Sequence, residues 1–215
     1  MPTWKEITDR NPQHSANYAQ RWDRIAAEGK DIFGEARLVD ALVDRKSRIL
    51  DAGCGQGRIG GYLAQRGHTV TGVDIDPYLI GIARSRHPEA RWQVGDLVGE
   101  GLPRGPFDAI VSAGNVLTFL EPGTQVTAWS NLAAVLAPGG RIAAGFGLDR
   151  GYSLEQCQAD IEEAGLTTSL LLSSWDIRPF TRGESTFAVV IAQRAGHDRP
   201  RAKTATIDLG RLRKL

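Results

Sequence analysis

The feature that most constrains this chain is an apolar segment that runs directly into a glycine-rich loop. Ile49-Leu50-Asp51-Ala52 is followed at once by Gly53, Gly55 and Gly57. Glycine accepts positive φ and lets a ligand approach the backbone closely. The free N–H groups at the start of a following helix attract hydrogen-bond acceptors. The pattern predicts a strand, a turn and a helix, with the turn contacting a nucleotide-like cofactor.

Two cofactor classes fit this loop. Gly55, Gly57 and Gly60 match the dinucleotide fingerprint G-x-G-x-x-G, which indicates an NAD(P)-dependent oxidoreductase. In that frame the first glycine comes late, because the strand ends directly before Gly53. The frame that begins at Gly53 leaves Asp51 two residues before the first glycine. A carboxylate there would repel a pyrophosphate but can pair with an α-ammonium group. S-adenosylmethionine (SAM) has an α-ammonium and no phosphate, so this frame favours SAM.

Strand and helix patterns alternate along the chain. Strands are predicted at 48–52, 68–73, 90–94, 107–113, 141–146, 166–175 and 185–193, and helices at 17–28, 33–44, 57–65, 77–84, 122–136 and from Ser153, where Gln156 would complete a capping box. The last two strands have no helix between them and are expected to pair antiparallel. The fold class predicted is α/β and Rossmann-like: a doubly wound, mostly parallel seven-stranded sheet with an antiparallel last strand and N-terminal helices.

The loop also resembles a known family motif. Asp51-Ala-Gly-Cys-Gly-Gln-Gly57 is similar to the first motif of class I SAM-dependent methyltransferases, and the similarity extends through most of the chain. The resemblance implies SAM as the cofactor and methyl transfer as the activity. It also implies that the cofactor is bound by Asp51, Gly53, Cys54, Gly55 and Gln56. A side chain at Gly53 is expected to fill space that the cofactor needs.

The resemblance assigns further residues to the ends of successive strands. An acid at the end of the second strand binds the ribose hydroxyls in this family, and Asp74 occupies that position, with Ile75 against the adenine. A carboxylate accepts two hydrogen bonds from a vicinal diol. Asp96 corresponds to the acid near the adenine amino group, with Leu97 as its apolar neighbour. Ala113 would lie beside the methionine part of SAM.

Other candidates come from segments around the expected site. The N-terminal segment folds over the cofactor in similar enzymes, so Tyr18 and Arg21 are candidates to contact the SAM carboxylate; packing and surface roles are the alternatives. Methyl transfer depends mainly on alignment of the reactants, so no motif identifies a catalytic residue. His14 is a candidate base or a solvated histidine. Asn115 and Tyr152 follow the fourth and fifth strands on the ligand side.

Composition restricts the partners. The formal net charge is +1, which indicates neither a nucleic-acid nor a membrane partner. Cys54 and Cys157 fit neither a disulfide framework nor a metal site, which favours a reduced, cytoplasmic protein without a metal. Met1–Arg10 has no signal-peptide pattern. A small-molecule acceptor methylated on O, N or C is expected, with a protein side chain as the alternative, and the protein is expected to be a monomer or homodimer.

One domain is predicted at 1–195, with an N-terminal helical cap at 1–46 and a Rossmann-like core at 47–195. Residues 196–215 carry six basic side chains and are predicted to be a solvated tail, with a phosphate- or partner-binding arm as the alternative. An oxidoreductase, a non-catalytic SAM-binding module and aminopropyl transfer remain as alternative functions.

Overall fold

The computed structural model describes residues 1–196, and helices and strands alternate through them. The predicted basic tail therefore lies outside the described residues, apart from Gly196. The helices are α1 (Trp4–Arg10), α2 (His14–Ala27), α3 (Gly34–Leu42), α4 (Arg58–Gln65), α5 (Pro77–Arg86), α6 (Gln125–Val135) and α7 (Leu154–Glu163). The strands are β1 (Arg48–Ala52), β2 (Thr69–Asp74), β3 (Arg91–Val94), β4 (Phe107–Ser112), β5 (Leu136–Gly147), β6 (Leu166–Leu172) and β7 (Phe187–Arg194).

The seven strands form one sheet in the order β3-β2-β1-β4-β5-β7-β6. The first five strands in chain order pair in parallel, whereas β7 runs antiparallel to both β5 and β6. The predicted mostly parallel sheet with an antiparallel last strand is confirmed. The strand order reverses at β1, which has β2 on one side and β4 on the other. In an open α/β sheet a ligand crevice forms at such a reversal, outside the carboxyl ends of the strands.

Buried apolar side chains cover both faces of this sheet. Successive residues of a strand point to opposite faces, so Ile49 packs with α3 and α4 while Leu50 packs with α6 and α7. Trp129 of α6 and Leu63 of α4 are completely buried, one on each side. Burial on both faces explains why β1 has an almost continuous apolar sequence. Within residues 1–196 no helix has both the length and the apolar character that a membrane span requires.

Helix α1 is not among the predicted helices. Its first turn is held by a reciprocal capping box, in which the Oγ1 of Thr3 accepts from the Glu6 N–H at 3.2 Å and the Oε2 of Glu6 accepts from the Thr3 N–H at 2.8 Å. No residue of α1 is buried. The helix buries only part of Trp4, Ile7 and Thr8, which is a weak apolar face, and the Thr3-x-x-Glu6 spacing is the clearer signal that could have revealed it.

Two local predictions need correction. Strand β5 begins at Leu136 rather than at 141, because the Pro138-Gly139-Gly140 segment continues the strand and the register with β4 shifts opposite it. At the start of α7 the Ser153 hydroxyl accepts from the Gln156 N–H at 3.1 Å, which is half of the predicted capping box. The Gln156 side chain donates instead to Asp160 at 2.7 Å.

Candidate functional site

A cavity of about 240 Å³ lies at the carboxyl ends of β1, β2, β3 and β4. Eight of the predicted cofactor residues line it: Tyr18, Gly53, Gly55, Asp74, Ile75, Asp96, Leu97 and Ala113. The parallel strands thus bring together side chains and backbone that are far apart in sequence. The predicted cofactor residues that do not line it are Asp51, Cys54, Gln56 and Arg21.

The glycine loop folds back over the end of β2. The N–H groups of Gly53 and Cys54 both donate to the carbonyl oxygen of Val73, at 2.8 and 3.0 Å. Gly53 has φ 80°, a left-handed conformation that disfavours any side chain. A Cβ there would lie 2.3 Å from the Cγ2 of Val116, in the turn after β4. Glycine is therefore needed at this position by the protein's own packing, whereas the sequence had indicated only space for the cofactor.

Tyr18 of α2 lies over the loop. A Cβ on Gly55 would be 3.5 Å from the Tyr18 ring, and a Cβ on Gly114 would be 3.6 Å from its hydroxyl. Burial raises the pKa of Tyr18, so its hydroxyl stays protonated and can act as a hydrogen-bond donor. Arg21, on the same helix, is exposed. Of the two candidates for contact with a carboxylate, Tyr18 is the one at the cavity.

Asp51 is buried beneath the loop rather than at the cavity surface, with a relative exposure of 1%. Its Oδ2 accepts a hydrogen bond from the Gly60 N–H at 2.8 Å. Burial raises the pKa of Asp51 to about 7, although the hydrogen bond from Gly60 opposes the shift. The carboxyl group therefore titrates nearer to neutral pH than an exposed aspartate does.

Asp74 is at the cavity and is held by two backbone donors. Its Oδ2 accepts from the Gly55 N–H at 2.8 Å and its Oδ1 accepts from the Asp76 N–H at 2.9 Å. Burial raises the pKa of Asp74 to about 6, so the carboxylate is mainly ionised at neutral pH. Each oxygen keeps a free lone pair, so the oriented carboxylate can accept further hydrogen bonds from a ligand.

Asp96 follows β3 in a turn of its own. Its Oδ1 accepts from the Val98 N–H at 2.9 Å, and its N–H donates to the Glu100 carbonyl at 2.8 Å. Leu97 is buried beside it, and Ile75 is 41% exposed on the other side of the cavity. This end of the cavity offers apolar surfaces and one carboxylate.

The three candidates for assisting catalysis lie outside the cavity lining. His14 packs edge-on against Trp4, with ring centroids 5.0 Å apart. The Oδ1 of Asn115 accepts from the Gly147 N–H at 2.8 Å and thereby joins the ends of β4 and β5. The Tyr152 hydroxyl is buried in the core, where it donates to Asp160 at 2.7 Å.

Two loop residues serve the packing beneath the cavity. Cys54 is a free, buried thiol packed against Ile80 and Trp92. Gln56 is 5% exposed, and its Oε1 has no hydrogen-bond partner in the described structure. Both belong to the loop motif, and neither side chain reaches the cavity.

The predicted site residues on the N-terminal segment begin at His14 and do not include the first ten residues of the chain. Residues 1–10, here called the N-terminal strap, cross the carboxyl edge of the sheet, and Thr3, Trp4 and Lys5 line the cavity. The Trp4 indole N–H donates to the Oδ2 of Asp76 at 2.9 Å. Asp76 before Pro77 is recognisable in the sequence as the N-cap of α5. Its contact with Trp4 has no sequence signal, because 72 residues separate the two.

Comparison with known proteins gives a consistent result. Residues 49–140 match the model of a methyltransferase domain. The crystal structure of a TehB-like SAM-dependent methyltransferase from Corynebacterium glutamicum has a TM-score of 0.83 and 49% identity, covering 86% of this chain and 100% of that one. An uncharacterised methyltransferase of Mycobacterium tuberculosis is 38% identical over 109 residues, which are 49% of this chain and 54% of that protein. The 18S rRNA (guanine-N(7))-methyltransferase of Bos taurus is 31% identical over 139 residues, 60% of this chain and 49% of that protein.

The chain thus spans about half the length of these curated relatives. The sheet order, the glycine loop and the strand-end acids define a Rossmann-like protein that binds a nucleoside-containing cofactor. The chain belongs to the SAM-dependent methyltransferases, as the resemblance of the loop motif predicted. The cofactor of this family is SAM.

The residues at the cavity fit this cofactor. Gly55 and Gly114 leave open backbone opposite the Tyr18 hydroxyl, and a side chain on either glycine would reach into the space between them. The Asp74 carboxylate suits a ribose diol, and the apolar surfaces of Ile75 and Leu97 suit a purine. Within the described residues, no group of three or more His, Cys, Asp or Glu side chains is arranged to hold a metal ion.

Proposed function

We propose that this protein transfers the methyl group of SAM to a small-molecule acceptor by direct displacement. The observation that carries the proposal is the cavity at the strand reversal, in which the oriented Asp74 carboxylate, the open glycine backbone and Tyr18 face one another. Together these groups supply contacts for a ribose and for an amino-acid carboxylate. SAM, when bound, supplies a methyl group on a positively charged sulfur with a neutral leaving group.

The proposed residue roles follow from the groups each side chain presents. Asp74 accepts hydrogen bonds from the ribose hydroxyls and is held in place by the N–H groups of Gly55 and Asp76. Tyr18 donates to the amino-acid carboxylate. Asp51, beneath the loop, contributes negative potential that favours the α-ammonium. Asp96 accepts from the adenine amino group. The remaining lining residues bind and orient the cofactor and the acceptor, and they exclude water from the reacting atoms.

The proposal assigns catalysis to alignment rather than to a general base. Direct displacement at a sulfonium methyl needs the acceptor atom, the carbon and the sulfur in line. None of the candidates His14, Asn115 and Tyr152 lines the cavity. A base matters mainly when the acceptor is a poorly ionised hydroxyl or an ammonium group, and less for a neutral amine or a phenolate, which attacks through a lone pair that is already free. The proposed acceptor is accordingly an amine, a phenolate or another nucleophile that is reactive without a base.

A small acceptor is supported by the cover over the cavity. Trp4 of the strap meets Phe119 edge-to-face across it, with ring centroids 5.6 Å apart and planes at 84°. Lys5 and Glu121 also line the cavity, and both side chains are exposed. This cover of aromatic and charged side chains narrows the access to the cavity, which favours a small molecule over a polymer. The net charge of +1 also gives no electrostatic preference for nucleic acid.

The test is methyl transfer from SAM carrying a labelled methyl group. The protein is incubated with panels of phenols, amines and carboxylates, and in a parallel arm with purified ribosomal RNA. Label is expected in a small-molecule product, with Asp74→Ala greatly reduced and Glu163→Ala, at the exposed end of α7 away from the cavity, unchanged. Label found in RNA alone would contradict the small-molecule acceptor.

Two further outcomes separate the other functions. Calorimetric binding of NAD(H) without binding of SAM would identify an oxidoreductase. Tight SAM binding with no transfer to any acceptor would favour a non-catalytic module. The proposal includes a cytoplasmic location, which the two free cysteines support, and a monomer or homodimer, which light scattering would test.

A further inference from the structure

The N-terminal strap is attached to the rest of the protein mainly through one residue. The Trp4 N–H donates to the Phe119 carbonyl at 3.4 Å, and the Trp4 indole N–H donates to Asp76 at 2.9 Å. The Trp4 ring also meets Tyr18 edge-to-face, with centroids 5.4 Å apart. No residue of α1 is buried. A segment with so little buried apolar surface belongs to the least stable part of a fold.

Asp76 receives this attachment and performs a second task at the same time. Its Oδ1 accepts from the N–H groups of Tyr78 and Leu79, at 2.9 and 3.3 Å, and so caps α5. Its Oδ2 accepts from the Trp4 indole and from the Ser15 hydroxyl of α2. The carboxylate is 6% exposed. One carboxylate oxygen therefore caps α5, and the other accepts hydrogen bonds from α1 and α2.

The same residue is joined to the proposed ribose ligand. The Asp76 N–H donates to the Oδ1 of Asp74 at 2.9 Å. Asp74 lines the cavity from the sheet side, while Trp4 lines it from the strap side. A continuous path of hydrogen bonds thus runs from Asp74 through Asp76 to the strap that covers the cavity.

We propose that Asp76 is a positioning residue that latches the N-terminal strap over the cofactor cavity through Trp4, while the same carboxylate oxygen holds α2 through Ser15. Release of the latch opens the cavity to the exchange of SAM and S-adenosylhomocysteine. The inference rests on the proposed SAM site. It adds a residue that acts on the cofactor through other side chains and contacts no reacting atom.

Two substitutions remove the latch and keep its surroundings. Asp76→Asn keeps an oxygen that can cap α5, because asparagine caps as well as aspartate. Its amide nitrogen replaces the oxygen that accepts from the indole. Trp4→Phe keeps an aromatic ring and removes the indole N–H. The matched control is Trp175→Phe, at another half-buried tryptophan, which contacts Gly145 and Gly34 away from the cavity.

The measurement is the dissociation rate of S-adenosylhomocysteine, followed by stopped-flow displacement with excess SAM. Removing a hydrogen bond to a charged group predicts dissociation roughly tenfold faster in both Asp76→Asn and Trp4→Phe. The Trp175→Phe control is expected to match the wild type. Hydrogen exchange in the ligand-free protein is expected to show loss of protection in residues 4–10 in both latch variants.

A double variant separates the latch from a general loss of stability. If Asp76 acts through Trp4, then Asp76→Asn with Trp4→Phe releases the ligand no faster than the more affected single variant. Multiplied effects of the two substitutions would overturn the inference, as would single-variant dissociation rates within twofold of the wild type. Failure of the wild-type protein to bind S-adenosylhomocysteine would instead refute the proposed function, and the inference with it.

Discussion

Asp51 and Gly60 are joined by a hydrogen bond of 2.8 Å from the Gly60 N–H to the Asp51 carboxylate. The bond ties the end of β1 to the first turn of α4 and encloses the glycine loop between them. The Asp51 carboxyl group is buried and does not line the cavity. Its ionisation nevertheless changes the charge directly beneath the glycine loop.

The first prediction concerns the pH dependence of stability. Burial raises the pKa of Asp51 to about 7, whereas an unfolded aspartate has a pKa of about 3.9. Between these values the folded protein holds a proton that the unfolded chain has released. The contribution of Asp51 to the free energy of unfolding should therefore fall as pH rises from about 4 to 7, by up to about 4 kcal/mol.

Urea denaturation of the wild type and of Asp51→Asn between pH 4.5 and 8 measures this effect. Asparagine keeps an oxygen to accept from Gly60 and does not titrate, so the variant should show a flatter profile. Asp74, whose pKa is raised to about 6, should leave a smaller decline in both proteins. Parallel profiles would show that Asp51 has no raised pKa.

The second prediction concerns Gly53. Gly53 and Gly183 have nearly the same φ, 80° and 82°, but a Cβ on Gly183 has no atom within 4 Å. Gly183→Ala should therefore cost only the strain of a left-handed residue, about 1–2 kcal/mol. Gly53→Ala should cost clearly more, because its Cβ meets Val116. Adding Val116→Ala should recover part of the difference, as measured by thermal unfolding.

Equal losses of stability in Gly53→Ala and Gly183→Ala would indicate that the contact with Val116 is unimportant. In that case any loss of SAM affinity in Gly53→Ala would have to come from the cofactor space itself.

The third prediction concerns the proposed ribose ligand. Asp74→Ala should weaken SAM binding by about 1–3 kcal/mol, the usual cost of losing contacts to a partly buried polar ligand group. Asp74→Asn should weaken it less, since one oxygen remains for Gly55 or for a hydroxyl. Titration calorimetry gives both values. An unchanged dissociation constant in Asp74→Ala would exclude Asp74 as the ribose ligand.

The fourth prediction separates a structural tyrosine from a catalytic one. The Tyr152 hydroxyl donates to Asp160 at 2.7 Å and accepts from the Trp129 indole at 3.1 Å. Tyr152→Phe leaves the buried Trp129 indole N–H without its acceptor and removes one of the two side-chain donors to Asp160, so the protein should lose about 1–3 kcal/mol of stability. SAM affinity and the methyl-transfer rate below the unfolding temperature should stay the same. A large loss of transfer activity without loss of stability would restore Tyr152 as a catalytic candidate.

Much of the fold could be predicted because its signals are local. The alternation of apolar runs, glycine turns and helical patterns gave all seven strands, and the missing helix between the last two strands indicated their antiparallel pairing. The loop from Gly53 to Gly57 follows β1 directly, Asp74 is the last residue of β2, and Asp96 comes two residues after the end of β3. Parallel strands present their carboxyl ends at one edge, so the strand positions alone placed these residues together.

Side-chain direction could not be predicted in the same way. Asn115 and Tyr152 also follow strands, but the Asn115 amide turns to Gly147 and the Tyr152 ring enters the core. Asp51 stands at the first position of the motif, yet its carboxyl group points beneath the loop to Gly60. A residue can therefore lie close to the site in sequence while its side chain points away from the cavity. Packing against distant segments decides the orientation of each side chain.

By itself the amino-acid sequence determined the order of the strands and of every described α-helix except α1, the mostly parallel sheet, the glycine loop and the family of cofactor. Periodicity and turn chemistry act over a few residues, and the chain records them directly. The tertiary structure alone decided which residues of the N-terminal segment cover the cavity and where each carboxyl group points. Trp4 reaches Asp76, and Gly53 is confined by Val116, through contacts between segments far apart in sequence. Such contacts exist only once the chain is folded, since their free energy depends on the distance between atoms and not on sequence spacing.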